Sequence, residues 1–261
     1  MLSIFRQYTF DNSFEQVYFS NTVLKEYQIA LTFATDYDEL DQPTNGIFRP
    51  VWNLAQVTPE AIKRFKEKAG SMDVEVKVFI SIGNRGNRHP FKSLDREAWI
   101  VNATDSLTRL IQEVNLQVDG IDVLYETIDA SPDDFIYCVR GLIKNLKDNG
   151  VITVASISPT FSLNTDFYST LYTSVPSLFD YVDYQFQTEL DRVPDPTALA
   201  QRYDELTQIY PIRKLLAGYS AENADWATVS PIVFFLGAMD ILQQKNAPGA
   251  SIYYHNFSAP Q

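Results

Sequence analysis

Short apolar runs rich in β-branched residues alternate with longer segments of helical period along the chain. The runs predict strands at residues 29–34, 76–82, 121–125, 151–157, 181–186, 215–218 and 251–254, with 4–8 as an additional first strand. The longer segments predict helices at residues 59–68, 96–113, 133–147, 197–209 and 231–244. A strand followed by a helix, repeated about eight times, implies parallel strands. The pattern therefore predicts an α/β fold, a single (β/α)8 TIM barrel that spans residues 1–261 as one domain.

A doubly wound open sheet is the alternative architecture, but it needs no eighth strand. The segment Gly83-Asn84-Arg85-Gly86 is too sparse in glycine for a phosphate-binding loop, so we expect no nucleotide cofactor, and no other cofactor is indicated. The two histidines, His89 and His255, lie far apart in the sequence, so no metal site is predicted.

The composition excludes several classes of protein and of binding partner. The chain has 261 residues, of which 45% are hydrophobic and 21% charged, and these values exclude disordered and fibrous classes. Asp and Glu outnumber Lys and Arg by 33 to 21, which gives a net charge of -12. So acidic a surface repels nucleic acid and anionic lipid, and no apolar run is long enough to span a membrane. We expect neither partner, and we expect a monomer or a weak homodimer.

The single cysteine, Cys138, excludes an intrachain disulfide and favours a reducing compartment. The first residues lack a basic start and a long apolar stretch, so they do not form a signal peptide. We therefore expect a cytoplasmic protein, with a vacuolar or secreted location as the alternative. Two glycosylation triplets begin at Asn102 and Asn256, and chance explains such triplets better than use does.

The strand at residues 121–125 carries the sharpest functional signal. Alternate residues of a strand face opposite sides, so Asp122, Leu124 and Glu126 share one face. The other face, with Tyr125, is apolar and suits packing against helices. The acidic face therefore points into the barrel, where carboxylates must be hydrogen-bonded or functional. Asp122 is then a buried hydrogen-bond hub or part of a site at the carboxyl ends of the strands.

This segment resembles the signature of glycoside hydrolase family 18, the chitinase family, which reads Asp-Gly-x-Asp-x-Asp-x-Glu. Asp119, Gly120, Asp122 and Glu126 match it, whereas Leu124 replaces the middle aspartate. The resemblance implies a TIM barrel whose strand ends once formed a binding groove for N-acetylglucosamine oligosaccharides.

Further landmarks follow in the family's order. Ser81-Ile82-Gly83-Asn84 resembles its Ser-x-Gly-Gly motif, with Asn84 in place of the second glycine. Gln185 matches the sixth-strand glutamine, and Gln187 stands where a catalytic tyrosine is expected. Tyr253 occupies the place of the pocket-floor tryptophan. The opening segment 3–8 also resembles that of the narbonin-like plant subgroup.

The departures affect the chemistry that the resemblance implies. Hydrolysis in this family is assisted by the substrate's own N-acetyl oxygen, while the glutamate protonates the glycosidic oxygen and the middle aspartate stabilises the developing positive charge. Leu124 can neither accept a hydrogen bond from the acetamide nor balance the positive charge, and Gln187 stands in place of the tyrosine. Each such loss costs about 3–4 kcal/mol of transition-state stabilisation. A rescue by His255, Asp183 or Glu222 is the weaker interpretation.

We therefore predict no catalytic residue, with Glu126 a vestigial acid and Asp122 a vestigial carboxylate. An ion pair between Glu126 and Arg85 would fill the barrel mouth with charge. The candidate ligand-binding residues are Glu126, Asp122, Gln185, Gln187, Tyr184, Tyr253 and Asn84.

Three functions remain open at this stage. The first is a catalytically inactive chitinase-fold protein with a storage or other non-enzymatic role. The second is a carbohydrate-binding lectin or sensor, whose partner would be an N-acetylglucosamine oligosaccharide. The third is a glycosidase with an altered mechanism, which needs a second carboxylate about 5–9 Å from the first.

Overall fold

Eight parallel strands surround the axis of the molecule and close on themselves. The computed structural model describes residues 3–19, 24–221 and 228–253. The barrel strands are β1 (Ile4–Thr9), β2 (Glu26–Thr35), β4 (Glu75–Asn84), β5 (Gly120–Tyr125), β6 (Val154–Ile157), β7 (Tyr181–Gln185), β8 (Leu215–Ser220) and β9 (Gly249–Tyr253). β1 pairs with both β2 and β9, which closes the barrel. A two-residue strand, β3 (Arg49–Pro50), pairs antiparallel with the end of β2. The predicted single TIM barrel is confirmed.

Helices pack around the outside of the barrel. They are α1 (Pro59–Gly70), α2 (Arg96–Val114), α3 (Pro132–Asp148), α4 (Phe161–Leu163), α5 (Ser169–Ser174), α6 (Pro196–Leu206) and α7 (Pro231–Gln244). Five of them begin at a side chain that accepts a hydrogen bond from a backbone N–H three residues later: Thr58, Asp95, Ser131, Asp195 and Ser230. These caps satisfy donors that a helix leaves free in its first turn, so the sequence fixes where each helix starts.

Some predicted bounds differ from the structure. α6 ends at Leu206, although the apolar period continues to residue 209, and turn residues lead from there to Pro211, which disfavours helical backbone in Tyr210. β6 begins at Val154 rather than at residue 151, and residue 254 of the last predicted strand lies outside the described residues. The short helices α4 and α5 are not among the predicted elements, because they are too brief to show a period.

Two apolar layers flank the sheet, and they confirm the predicted alternation of β5. Ile121, Val123 and Tyr125 lie in the large outer core between the strands and the helices. Leu124 lies in a small inner cluster inside the barrel, with Tyr8, Ala30, Phe33, Phe79 and Tyr253. Within the described ranges, the helices are too short or too polar to cross a membrane.

Candidate functional site

A network of charged and hydroxyl side chains fills the barrel beneath its mouth. Arg6 on β1 is fully buried, and its Nη1 donates to Asp122 Oδ1 at 3.0 Å and to Ser156 Oγ at 2.9 Å. Its Nε donates to Gln28 Oε1 at 2.7 Å. Asp122 also accepts from Ser158 at 2.8 Å and from further hydroxyls of neighbouring strands. Asp122 is therefore the predicted buried hub, and its oxygens are fully engaged.

A second carboxylate shares this network. Asp183 on β7 accepts from Tyr8 Oη at 2.7 Å and from Ser251 Oγ at 2.8 Å, and its Oδ2 lies 3.8 Å from Arg6 Nη1. Burial raises the pKa of Asp183 to about 6, although Arg6 and the two hydroxyl donors oppose the shift. Asp183 is fully buried in this network and does not line the cavity at the mouth, so it is not placed to rescue hydrolysis there.

Leu124 separates the polar network from the mouth. It is fully buried and packs among the aromatic rings of the inner cluster. Gly83 on the neighbouring strand has φ +115°, and a Cβ there would lie 2.1 Å from the carbonyl oxygen of Leu124. Only glycine allows the backbones to approach this closely, and the turn that follows places Asn84 and Arg85 at the mouth.

Glu126 lies at the mouth, directly after β5, and is ion-paired. Its Oε1 lies 3.0 Å from Arg85 Nη2 and accepts from Arg85 Nε at 3.1 Å. Its Oε2 accepts from the backbone N–H of Gly86 at 2.7 Å, and Gln187 Nε2 approaches Oε1 at 3.5 Å. The predicted pair between Arg85 and Glu126 is confirmed. Both carboxylate oxygens act as acceptors for donors of the protein itself.

Arg85 also covers the aromatic floor of the mouth. Its guanidinium lies 4.4 Å from the ring centroid of Tyr253, within cation–π range, and its Nη2 lies 3.5 Å from Gln185 Oε1. The Tyr253 ring also lies 5.9 Å from that of Tyr8 and 6.3 Å from that of Phe33. A sugar ring that stacked on Tyr253 would therefore have to compete with Arg85.

A cavity of about 380 Å³ remains beside the ion pair. Its lining is Phe33, Asn84, Arg85, Gly86, Glu126, Gln187, Thr188, Ser220, Thr228 and Tyr253. Of the residues predicted to bind a ligand, Asn84, Glu126, Gln187 and Tyr253 thus meet at one opening. Most of its lining residues are polar, and it has room for a small ligand.

The other three predicted ligand-binding residues do not line this cavity. Asp122 and Gln185 are fully buried beneath it. The placement of Tyr184 at a sugar-binding surface is wrong, because Tyr184 points outward and packs in the outer core, where its hydroxyl is hydrogen-bonded to Glu189 and Arg202. Its neighbours Asp183 and Gln185 point inward, so strand alternation requires the opposite direction for Tyr184.

Sequence reasoning missed Arg6 as the cation that organises the interior. The available signal was its spacing of two from Tyr8 in the first strand, which puts both on one face beside a predicted carboxylate hub. Three other candidates, His255, Glu222 and the triplet at Asn256, lie outside the described residues.

A metal or a reactive thiol has little support in the described part of the chain. It contains no group of three or more His, Cys, Asp and Glu side chains placed to hold a metal ion. Cys138 is buried on α3, and burial raises the pKa of its thiol to about 12. A thiol in that setting packs as a small apolar group.

The similarity of this chain to known proteins covers almost its whole length, although no family model matches it. It is 38% identical over 257 residues to the RuBisCO-associated protein of Glycine max, covering 95% of this chain and 89% of that protein. It is 30% identical over 251 residues to Chitinase 1 of Tulipa saxatilis subsp. bakeri, covering 93% of this chain and 77% of that protein. The catalytic domain of a family GH18 chitinase from the fern Peteris ryukyuensis has a TM-score of 0.79 at 28% identity, covering 95% of this chain and 90% of that chain.

Proposed function

The chain belongs to the chitinase-like plant proteins of glycoside hydrolase family 18, and from this premise we propose that it is a catalytically inactive member with a storage or other non-enzymatic role. Leu124 is the observation that carries the proposal. It stands where the family's signature has its middle aspartate, and its buried isobutyl group can neither orient an acetamide nor balance a positive charge. Loss of such a group costs about 3–4 kcal/mol, or a factor of 10²–10³ in rate.

The arrangement of Glu126 supports the same proposal. A general acid must direct a proton at the oxygen of the bond that breaks. The Glu126 oxygens instead accept from Arg85 and from the Gly86 N–H, so substrate would have to displace these donors before the carboxyl group could reach it. Gln187, in the place of the family's tyrosine, points its amide at the same carboxylate. The remnants of the catalytic groups thus bind one another.

Two observations support a non-enzymatic role: the interior of the barrel and the name of a relative. The barrel keeps a buried hydrogen-bond network around Arg6 and Asp122 beneath a mouth that the ion pair partly fills, which favours a stable scaffold over a catalyst. The soybean relative is named for its association with RuBisCO, so association with another protein is one form that the role can take. Storage is the other.

Hydrolysis of a chromogenic chitobioside tests the proposal. We expect the wild-type protein to release no more product than a Glu126→Gln variant, which keeps the size of the side chain but cannot serve as an acid. The two should be compared at equal concentration from about pH 4 to about pH 8, the range in which carboxylic acids catalyse such reactions. A wild-type rate well above that of Glu126→Gln would overturn the proposal.

Oligosaccharide binding without hydrolysis is the second candidate, and the cavity at the mouth favours it. The cavity has a volume of about 380 Å³ and presents Asn84, Gln187 and Thr188 beside the edge of Tyr253. The position of Arg85 over the Tyr253 ring opposes it, since sugars stack on exposed aromatic faces. Saturable binding of chitotetraose would favour this candidate over the first.

A further inference from the structure

Asparagine is followed by glycine at two places in the chain, Asn45-Gly46 and Asn149-Gly150. The backbone nitrogen of the second residue can attack the asparagine side chain, which makes asparagine one of the thermolabile residues of proteins. Glycine favours this attack, because no side chain shields its nitrogen. The dipeptide is the same at both places, but the structure gives the two asparagines very different surroundings.

Asn149 lies at the exposed carboxyl end of α3, directly after Asp148. Asn149 and Gly150 are both exposed, and the Asn149 carboxamide has no hydrogen-bond partner among the described residues. A Cβ at Gly150 would meet no atom beyond the adjacent residues within 4 Å. The Gly150 N–H donates to the Lys147 carbonyl at 3.0 Å, and such hydrogen bonds at a helix end open readily. The side chain is therefore free to turn towards the glycine nitrogen.

Asn45 is held in a position where its side chain cannot react. Its Oδ1 accepts from the backbone N–H groups of Leu94 at 2.7 Å and Asp95 at 3.2 Å, and its Nδ2 donates to the Asp95 carbonyl at 3.2 Å. Gly46 is buried, and a Cβ there would lie 2.5 Å from the Trp99 carbonyl oxygen. Attack requires the carboxamide carbon to turn towards the glycine nitrogen, and these contacts oppose that motion. The loop would have to open locally before Asn45 could react.

We propose that Asn149 is a site of spontaneous deamidation, at which asparagine becomes a mixture of aspartate and isoaspartate. The Gly150 nitrogen gives up its proton to water and forms a bond to Asn149 Cγ. The bond from Cγ to Nδ2 breaks, and Nδ2 takes a proton from water and leaves as ammonia. Water then opens the resulting succinimide ring at one carbonyl to give aspartate, or at the other to give isoaspartate. The reaction needs water alone as co-reactant.

The modification changes the end of α3. Either product places a carboxylate there, and the chain becomes one unit more negative than its net charge of -12. The negative end of the helix dipole disfavours a carboxylate at this position. Isoaspartate also adds a methylene group to the backbone of the turn in which the Val151 N–H donates to the Leu146 carbonyl at 2.9 Å. Deamidation therefore loosens the end of this helix and leaves the barrel strands unaltered.

Incubation of the full native chain at mildly alkaline pH, followed by proteolysis and mass spectrometry, tests the proposal. Replacement of the amide by an acid raises the mass of the peptide that contains the reacting asparagine. We expect the heavier peptide to accumulate at Asn149 about ten times faster than at Asn45, or faster still, since the loop around Asn45 must open first. The Asn149→Gln variant should stay unmodified at this position, because glutamine would have to close a larger ring.

Two controls separate the effect of the glycine from that of the structure. Asn115 is exposed at the carboxyl end of α2, as Asn149 is at that of α3, but Leu116 follows it, so it should react more slowly. In the chain unfolded by guanidinium chloride, Asn149 and Asn45 should react at similar rates, because both precede glycine and neither is held. Equal rates at Asn149 and Asn45 in the native protein would overturn the proposal. A native rate at Asn149 no greater than that at Asn115, or an unchanged contrast with Asn45 after unfolding, would overturn it as well.

Discussion

Leu124 and Arg85 act together on the chemistry of the mouth. Leu124 makes the wall between the polar interior and the mouth apolar, and Arg85 supplies the cation that Glu126 binds. The leucine lies among aromatic rings, and both carboxylate oxygens of Glu126 accept hydrogen bonds at the rim. A single reverse substitution therefore does not restore a catalytic arrangement.

Leu124→Asp should leave the protein unable to hydrolyse a chromogenic chitobioside, since Gln187 and the Arg85 pair remain. It should also lower the free energy of unfolding by about 3 kcal/mol, because it buries a carboxylate among apolar rings. Chemical denaturation and the hydrolysis assay measure the two effects. Leu124→Asn is the control of equal shape, and it should cost less because it buries no charge. Appreciable product release by Leu124→Asp would contradict this account.

The positions of some of these side chains can be predicted from the sequence and those of others cannot, for a physical reason. The interior direction of Leu124 and Glu126 follows from strand alternation, and the pair with Arg85 follows from the adjacency of strand ends. The buried position of Arg6 could not be deduced with the same security, since an arginine near a chain start is most often on the surface. It is fully buried because Asp122 and Asp183 on distant strands converge on it.

At the scale of the element, a buried acid ties the end of β2 to α2. Asp36 Oδ2 accepts from Trp99 Nε1 at 2.9 Å, while its Oδ1 has no partner within the described part of the chain. Burial raises the pKa of Asp36 to about 6, and the Trp99 hydrogen bond only partly opposes this shift. A raised carboxyl pKa means that ionised Asp36 destabilises the fold above pH 6, and that acidification relieves the penalty as the folded state takes up a proton.

Asp36→Asn should therefore change the pH dependence of stability. When the pH falls from 7.5 to 5, the wild-type protein should gain about 1–2 kcal/mol of unfolding free energy relative to the variant. Denaturant titrations at both pH values measure it. Asp41→Asn is the control, because hydrogen bonds from His89 and Arg88 lower the pKa of the Asp41 carboxyl. Its difference from the wild-type protein should stay nearly constant between the two pH values, because the stability that comes from a lowered carboxyl pKa is lost only below about pH 4. A shift in Asp41→Asn as large as that in Asp36→Asn would contradict the explanation.

Helix and strand positions were predictable to the extent that they depend on local sequence. The bounds of α7 match the prediction because Ser230 caps its start and Pro231 suits its first turn. The short helix α5 after β6 depends instead on packing, with Leu171 and Tyr172 buried on it and Tyr168 buried directly before it, whereas α4 buries none of its residues. No period of the sequence encodes such brief elements.

At the scale of the whole molecule, the fold and the chemistry have separate determinants. Closure depends on eight strands and on the pairing of β1 with β9, and these features are shared with plant chitinases at a TM-score of 0.79. Hydrolysis in the family depends on a few side chains at one rim, and we propose that Leu124 and the Arg85–Glu126 pair stand here in place of the arrangement that the family's signature implies. The sequence could predict the barrel from its alternation of elements. It could not predict how open the mouth is, because that depends on where Arg85 lies over Tyr253.

The most direct test of the account is a calorimetric titration of the protein with chitotetraose at neutral pH and about millimolar ligand. One trace separates the alternatives, because hydrolysis gives heat that continues after each injection and binding gives heat that saturates. We predict heats of dilution only, identical to those of a Glu126→Ala variant. Saturable heat that disappears in Glu126→Ala would show sugar at the mouth and contradict the proposal that the Arg85–Glu126 pair keeps sugar out. Continuing heat in the wild-type protein alone would contradict the absence of catalysis.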